Sequence, residues 1–172
     1  MILSTTGAVI VPVIVASVGA FAAFLVYLGQ QLASRRDAKR ALFSQALADV
    51  YRWAELPYRV ARRRPGEEAK HAIAAGMSDL QETLYLHRSW LRIESSDVHR
   101  AYERLVEATK LRTAEHLRCA WEAPSPETGG DMNVGDLKID IQEEVEGYVA
   151  AVRDHFAWWR EALGVATFGF FR

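Results

Sequence analysis

Apolar positions along the chain fall into two regimes. Residues 8–28, AVIVPVIVASVGAFAAFLVYL, are overwhelmingly apolar, and no charged side chain occurs between Met1 and Ser34. About 20 apolar residues at about 1.5 Å each cross a hydrocarbon core of roughly 30 Å. The run therefore predicts one membrane-spanning helix. Beyond residue 34 apolar side chains instead recur every three or four positions, with polar ones between. That is the signature of helices with one buried face.

The second regime resolves into four predicted helices. The first, over residues 35–64, continues the span directly. Its stripe is Leu42/Phe43, Ala46/Leu47, Val50, Trp53/Ala54, Pro57/Tyr58 and Ala61. Pro57 has no N–H to donate, so it should kink or break this helix near Leu56. Pro65-Gly66 ends it. The second, over residues 67–93, opens on Glu67 and Glu68, which suit a positive helix N-terminus. Its seam is Ile73, Met77, Leu80, Leu84, His87 and Leu91, at intervals of four and three.

Residues Glu94-Ser95-Ser96-Asp97 form a turn rich in N-cap side chains. The third helix, over residues 97–121, has a stripe of Val98, Tyr102, Leu105/Val106, Thr109, Arg112/Thr113, His116/Leu117 and Ala120. Being less apolar, it is expected to be the more exposed. A loop with two prolines and three glycines covers residues 123–135. The fourth helix, over residues 136–163, is capped by Asp136 and stopped by Gly164.

Matched helix lengths predict an all-α chain: a single N-terminal transmembrane helix continuing into an antiparallel up-down four-helix bundle. The expected segments are an anchor (1–34), a cytoplasmic bundle (35–163) and an aromatic C-terminal tail (164–172). Up-down topology returns the fourth helix to the bilayer. Trp158, Trp159, Phe168, Phe170 and Phe171, with Arg172, are then placed as an interfacial aromatic tail. The competing expectation is a tail that packs under the bundle or frays.

Charge sets the orientation. Arg35, Arg36, Lys39 and Arg40 follow the span within six residues, whereas no Lys or Arg precedes it. Lys and Arg flanking a span stay in the cytoplasm, so the N-terminus is expected outside and the bundle inside. The same four cations are expected to contact lipid headgroups. The rival reading, a cleaved signal peptide, lacks a basic n-region, although small residues at Ala16, Gly19 and Ala20 resemble a cleavage site.

Residues 1–64 hold nine basic and three acidic side chains, and residues 65–172 hold twelve and nineteen. Net charge is −1, which carries no nucleic-acid signature. Arg59, Arg62, Arg63 and Arg64 end the first helix, while Asp140, Glu143, Glu144 and Glu146 begin the fourth. As bundle neighbours, these predict complementary surface charge.

Candidate chemistry is sparse. A carboxylate-bridged metal bundle needs a Glu-x-x-His on each of two helices. Only Glu68–His71 has that spacing. His116 and Cys119 share a helical face but have no further ligands at zinc spacing, and Cys119 is read as a buried thiol. It is the single cysteine, so no internal disulfide forms. His87, Arg112 and His116 fall on core-like faces and make a candidate internal polar site. The plainer expectation is a hydrogen-bonded core histidine and a snorkelling arginine.

No catalytic, cofactor or metal motif is expected. The pattern points to a membrane-tethered helical-bundle interaction or scaffolding protein without catalytic activity. Its partners would be the lipid bilayer and a protein, either a different one or a second copy, and not nucleic acid. Two other classes remain open. One is a small membrane effector that oligomerises through Ala16/Ala20 and Gly19/Ala23 or perturbs the bilayer. The other is a ligand sensor or enzyme that uses the bundle interior.

Overall fold

The computed structural model describes residues 5–126 and 139–168; for residues 5–18 and 158–168 it describes the backbone alone. Among the described residues the chain is all-helical, with no strand. Its elements are α1 (Thr5–Ala54), α2 (Leu56–Ala61), α3 (Glu67–Glu94), α4 (Ser96–Glu122) and α5 (Gln142–Phe168). Two compact units divide it, Met1–Leu42 and Phe43–Arg172, with the boundary inside α1.

In the first unit, the described side chains begin at Gly19. Phe21, Phe24, Leu25, Val26, Tyr27, Leu28 and Leu32 are all exposed, none by less than 39%. Successive residues point about 100° apart on a helix, so a run exposed from residue 21 to 28 is apolar on every side. The polar contacts here are local: Gln31 Nε2 donates to Tyr27 Oη at 2.8 Å, and Arg40 lies 3.8 Å from Asp37. Among the described residues no helix is long and apolar enough to cross a membrane. These take in only part of the run at residues 8–28, whose first side chains lie outside the described residues.

In the second unit, the last turns of α1 bring Phe43, Ala46, Asp49 and Val50 into the core. The break at Glu55 falls where the missing N–H of Pro57 interrupts the helical ladder. α2 then buries Leu56, Pro57 and Val60. Gly66 joins α2 to α3 at φ +114°, in the region that disfavours a side chain. α3 buries the lower half of its seam, Leu80, Leu84, His87 and Leu91, while Ile73 and Met77 are half-buried.

α4 is the hub, packing against α5, α2 and α3. Its buried set is Val98, Ala101, Tyr102, Leu105, Val106, Thr109, Thr113 and Ala120. This reverses the expectation that the third helix is the exposed one. The reason lies in the threonines. Thr109 Oγ1 donates to Leu105 O at 2.7 Å, and Thr113 Oγ1 to Thr109 O at 2.8 Å. With the hydroxyl satisfied inside its own helix, a threonine presents a methyl to the core, which a hydropathy pattern does not register.

Two helix ends also differ from expectation. α5 starts at Gln142, where Asp140 Oδ1 accepts the Gln142 N–H at 3.2 Å; Asp136 lies outside the described residues. It then runs through Gly164 to Phe168 instead of stopping there. α4 does start as its turn implies, with Ser95 Oγ accepting from the Val98 N–H at 3.4 Å.

Candidate functional site

The most concentrated polar chemistry in the second unit surrounds Asp49, whose side chain is fully buried. A carboxylate there must be matched, because an unpaired buried charge costs several kcal/mol. Three neighbours match it. His87 Nε2 lies 2.9 Å from Oδ2, Arg52 donates to Oδ1 at 2.7 Å, and Gln45 Nε2 reaches both oxygens at 3.3 Å. Arg52 and Gln45 stand one turn to either side on α1, so helical spacing aims them at Asp49. Arg52 keeps most of its side chain in solvent, while His87 is buried on the facing helix α3.

Tyr102 and Tyr148 flank this cluster, with ring centroids 5.8 Å apart. Burial pushes the Tyr102 hydroxyl above its ordinary range, with Tyr148 and Asp49 adding to the effect. Burial raises Tyr148 likewise. Both hydroxyls therefore stay protonated. Tyr148 uses its proton to donate to Phe43 O at 2.9 Å, which ties α5 to α1. Nearby, Trp53 Nε1 donates to Thr113 Oγ1 at 3.2 Å.

The Asp–His pair is positioned to hold one imidazole tautomer, the arrangement that orients a general base. His87 Nδ1 is buried and meets no hydrogen-bond partner among the described residues. The Tyr102 hydroxyl is likewise buried without a partner among the described residues. The arrangement can lock α1 to α3. Among the described residues, no group of three His, Cys, Asp or Glu side chains could hold a metal.

The three residues read as an internal polar site are not gathered. His87 is buried against Asp49. Arg112 is exposed and reaches α5, donating to Glu144 at 2.6 and 2.8 Å and to Asp140 O. His116 is half-buried further along α4. Arg112 thus departs from its core-like position because the acidic start of α5 draws it outward. Hydrogen bonding to Arg112 holds the Glu144 carboxyl below the usual carboxylate range, and Glu144 raises Arg112 in return.

Cys119 likewise reverses its expectation. It is exposed, with Sγ 3.6 Å from Glu115 Oε1. Arg118 holds the Glu115 carboxyl below its ordinary value, mainly by a hydrogen bond at 2.6 Å.

Of the arginines expected to form a charged surface, Arg59, Arg62 and Arg64 are exposed and Arg63 is not. Arg63 is 5% exposed. Its guanidinium donates to Val60 O at 2.9 Å, Ala120 O at 2.6 Å, Trp121 O at 3.2 Å and Ala123 O at 2.5 Å. It also lies 5.6 Å from the Trp121 ring centroid. The C-terminus of α4, where glycine caps are common, is capped here by a cation from the preceding hairpin.

Of the proposed headgroup contacts, Arg35, Arg36 and Arg40 are exposed and Lys39 is half-exposed. Trp158, Trp159 and Phe168 lie within helical backbone, but their side chains fall outside the described residues. Phe170 and Phe171 lie outside them altogether.

Sequence reasoning missed Asp49 and the capping role of Arg63. Asp49 had a readable signal. It stands three residues after Ala46 and four before Trp53, on the stripe itself, and a histidine occupies a seam slot on the facing helix. A carboxylate and an imidazole in two facing apolar seams are best explained by each other.

The outer surface of α3 carries a second feature. Leu86, Trp90 and Ile93 are 53%, 58% and 79% exposed. They lie at intervals of four and three, on the side away from the buried seam.

Comparison with models of known families, with curated proteins and with solved structures found no match. Function must be argued from the residues.

Proposed function

We propose that the chain is a membrane-anchored helical module whose second unit is a non-catalytic interaction body. The observation that carries this reading is the exposed apolar surface of α1. Phe21, Phe24, Leu25, Val26, Leu28 and Leu32 face outward on a helix with Arg35, Arg36, Lys39 and Arg40 just beyond. In water so much exposed apolar surface is unfavourable, at roughly 25 cal/mol per Å². In a bilayer it is solvated. The uncharged stretch from Met1 to Ser34 supplies the length a span needs.

On this reading the N-terminus lies outside and the second unit sits in the cytoplasm, with the basic cluster at the headgroups. The end of α1 together with α2 serves as the first helix of an antiparallel four-helix bundle, and α3, α4 and α5 complete it. The ties Asp49–His87 and Trp53–Thr113 each join two helices, which favours a structural role for them. The aromatic residues at the end of α5 form a second, interfacial contact with the same leaflet.

Alkaline extraction of membranes from cells expressing the full chain tests the anchor. The chain should stay with the pelleted membranes under conditions that strip peripheral proteins. Release into the supernatant would overturn the reading.

A further inference from the structure

The outer face of α3 combines three observations that need a common cause. Leu86, Trp90 and Ile93 form one stripe at a/d-like intervals, and all three are more than half exposed. Elsewhere the same surface of the helix is polar: Asp79 and Glu82 are exposed above the stripe and Ser89 beside it. The apolar residues are therefore confined to the last two turns of α3. Within the stripe no charge intervenes. Arg88 is turned away toward Glu103 at 3.3 Å and Glu107 at 4.0 Å. Arg92 lies about 100° round the helix from Ile93.

We propose that this stripe is a self-association surface, through which two membrane-held copies of the chain pair along their α3 helices. The proposal rests on the anchored reading above and names the partner for it.

Size, charge and orientation support a second copy. At about 150–250 Å² for a large side chain, the three exposures amount to roughly 300–450 Å² of apolar surface per chain. That is the size of patch that is often functional on a monomer. A symmetric pair buries about twice that from these residues, and Tyr85 and Ser89 on the flank bring it near the roughly 1,000 Å² lower bound for a specific interface. Such a contact is marginal between freely diffusing chains. Anchoring changes the balance, because copies confined to one membrane meet at a raised effective concentration.

A seam without charge can face its own copy without burying like charges. A two-fold axis along the stripe pairs the helices in parallel. Leu86, Trp90 and Ile93 then each face their own counterpart, with Trp90, a residue type enriched in binding hot spots, at the centre. Asp79 and Glu82 would face their own counterparts too. Like charges repel there, so the contact ends at Leu86 and the helices diverge toward the start of α3.

Site-specific crosslinking of the full chain in native membranes tests this. In a Cys119→Ser background, single cysteines are placed at Leu86, Ser89 and Ile93, with Glu82 and Leu111 as comparison sites. Leu111 is 79% exposed but stands on α4. Mild oxidation should give disulfide-linked dimers at the three α3 positions at least about tenfold above either comparison site. Adding Trp90→Glu to the Ile93→Cys chain should lower its dimer yield by about tenfold or more. Far-UV circular dichroism of that variant should be unchanged, because Trp90 is not part of the buried core.

Equal yields at Leu111 would mark random collision and overturn the proposal. So would crosslinks to a different protein in place of dimers, or no dimers in membranes that demonstrably contain the chain. In those cases the anchored reading survives. A chain recovered only from the soluble fraction overturns both.

Discussion

Removing the Arg63 guanidinium gives the sharpest test of how the second unit holds together. Arg63→Ala leaves four carbonyl oxygens without their shared donor: Val60 O, Ala120 O, Trp121 O and Ala123 O. The contacts to Val60 O and Ala120 O are buried, and those to Trp121 O and Ala123 O are part-buried, where water can replace the lost donor. Val60 O keeps the backbone N–H of residue 63 at 3.2 Å, so Ala120 O is the buried acceptor left unmatched, at a cost of about 1–3 kcal/mol. Lost packing of the arginine stem and of its contact with Trp121 adds about 1 kcal/mol. The effects share one side chain and do not simply add, so the expected loss is about 2–4 kcal/mol. Against a typical domain stability of about 5–15 kcal/mol, that is a large share.

The assay is urea unfolding of the full chain in detergent micelles, followed by circular dichroism and tryptophan fluorescence. Arg63→Lys should recover less than half of the loss, because one ammonium cannot bridge four carbonyls as a planar guanidinium does. Arg63→Met keeps the stem without the donors and should fall near alanine. An alanine variant within about 0.5 kcal/mol of the parent, the range of an ordinary surface substitution, would refute the capping role.

Other expectations follow from the same contacts. Asp49→Ala should cost about 1–3 kcal/mol by stranding the buried His87 Nε2, whereas the double change of Asp49 and His87 to leucine should cost less than either single change, measured in the same unfolding assay. Because the Glu144 carboxyl is held below its ordinary value by Arg112, its contribution is fully present above about pH 4.3 and is lost as pH falls through its lower folded value. Glu144→Gln should therefore lower the melting temperature at neutral pH and narrow the gap to the parent in acid. Trp53→Phe, which removes the donor to Thr113, should destabilise by about 1 kcal/mol, read from the urea midpoint.

The helices were largely legible in the sequence because their cause is local. Pro57 and the Pro65-Gly66 pair break the ladder where they stand, and Ser95 caps α4 with its own hydroxyl. The seam of α3 was readable as a period of four and three. What was not legible depends on partners far along the chain. Arg63 is one of three consecutive arginines, and nothing local separates it from Arg62 or Arg64. Only the approach of the end of α4, 57 to 60 residues on, makes it a cap. Arg112 looked core-facing by register, but its length lets it reach Glu144 at the start of α5. Thr109 and Thr113 weakened the apparent apolar face of α4 while being buried in it.

For the candidate site, His87 was identifiable as a polar group in an apolar seam. Its true partner was on α1 and not among Arg112 and His116. Thus His87, read as part of a candidate polar site, and Arg63, read as surface charge, turn out to join secondary elements. The unexplained surface is instead apolar: α1 before residue 33 and the last turns of α3.

The central claim, an anchored chain with its second unit in the cytoplasm, is tested most directly by the one native cysteine. Cys119 is exposed on α4, so it reports the location of that unit without any substitution. Intact cells expressing the full chain are treated with a membrane-impermeant maleimide before and after permeabilisation, and the labelled chain is recovered from washed membranes. The account expects a membrane-bound chain that labels only after permeabilisation. Labelling of Cys119 in intact cells, or a chain absent from the washed membranes, would contradict it.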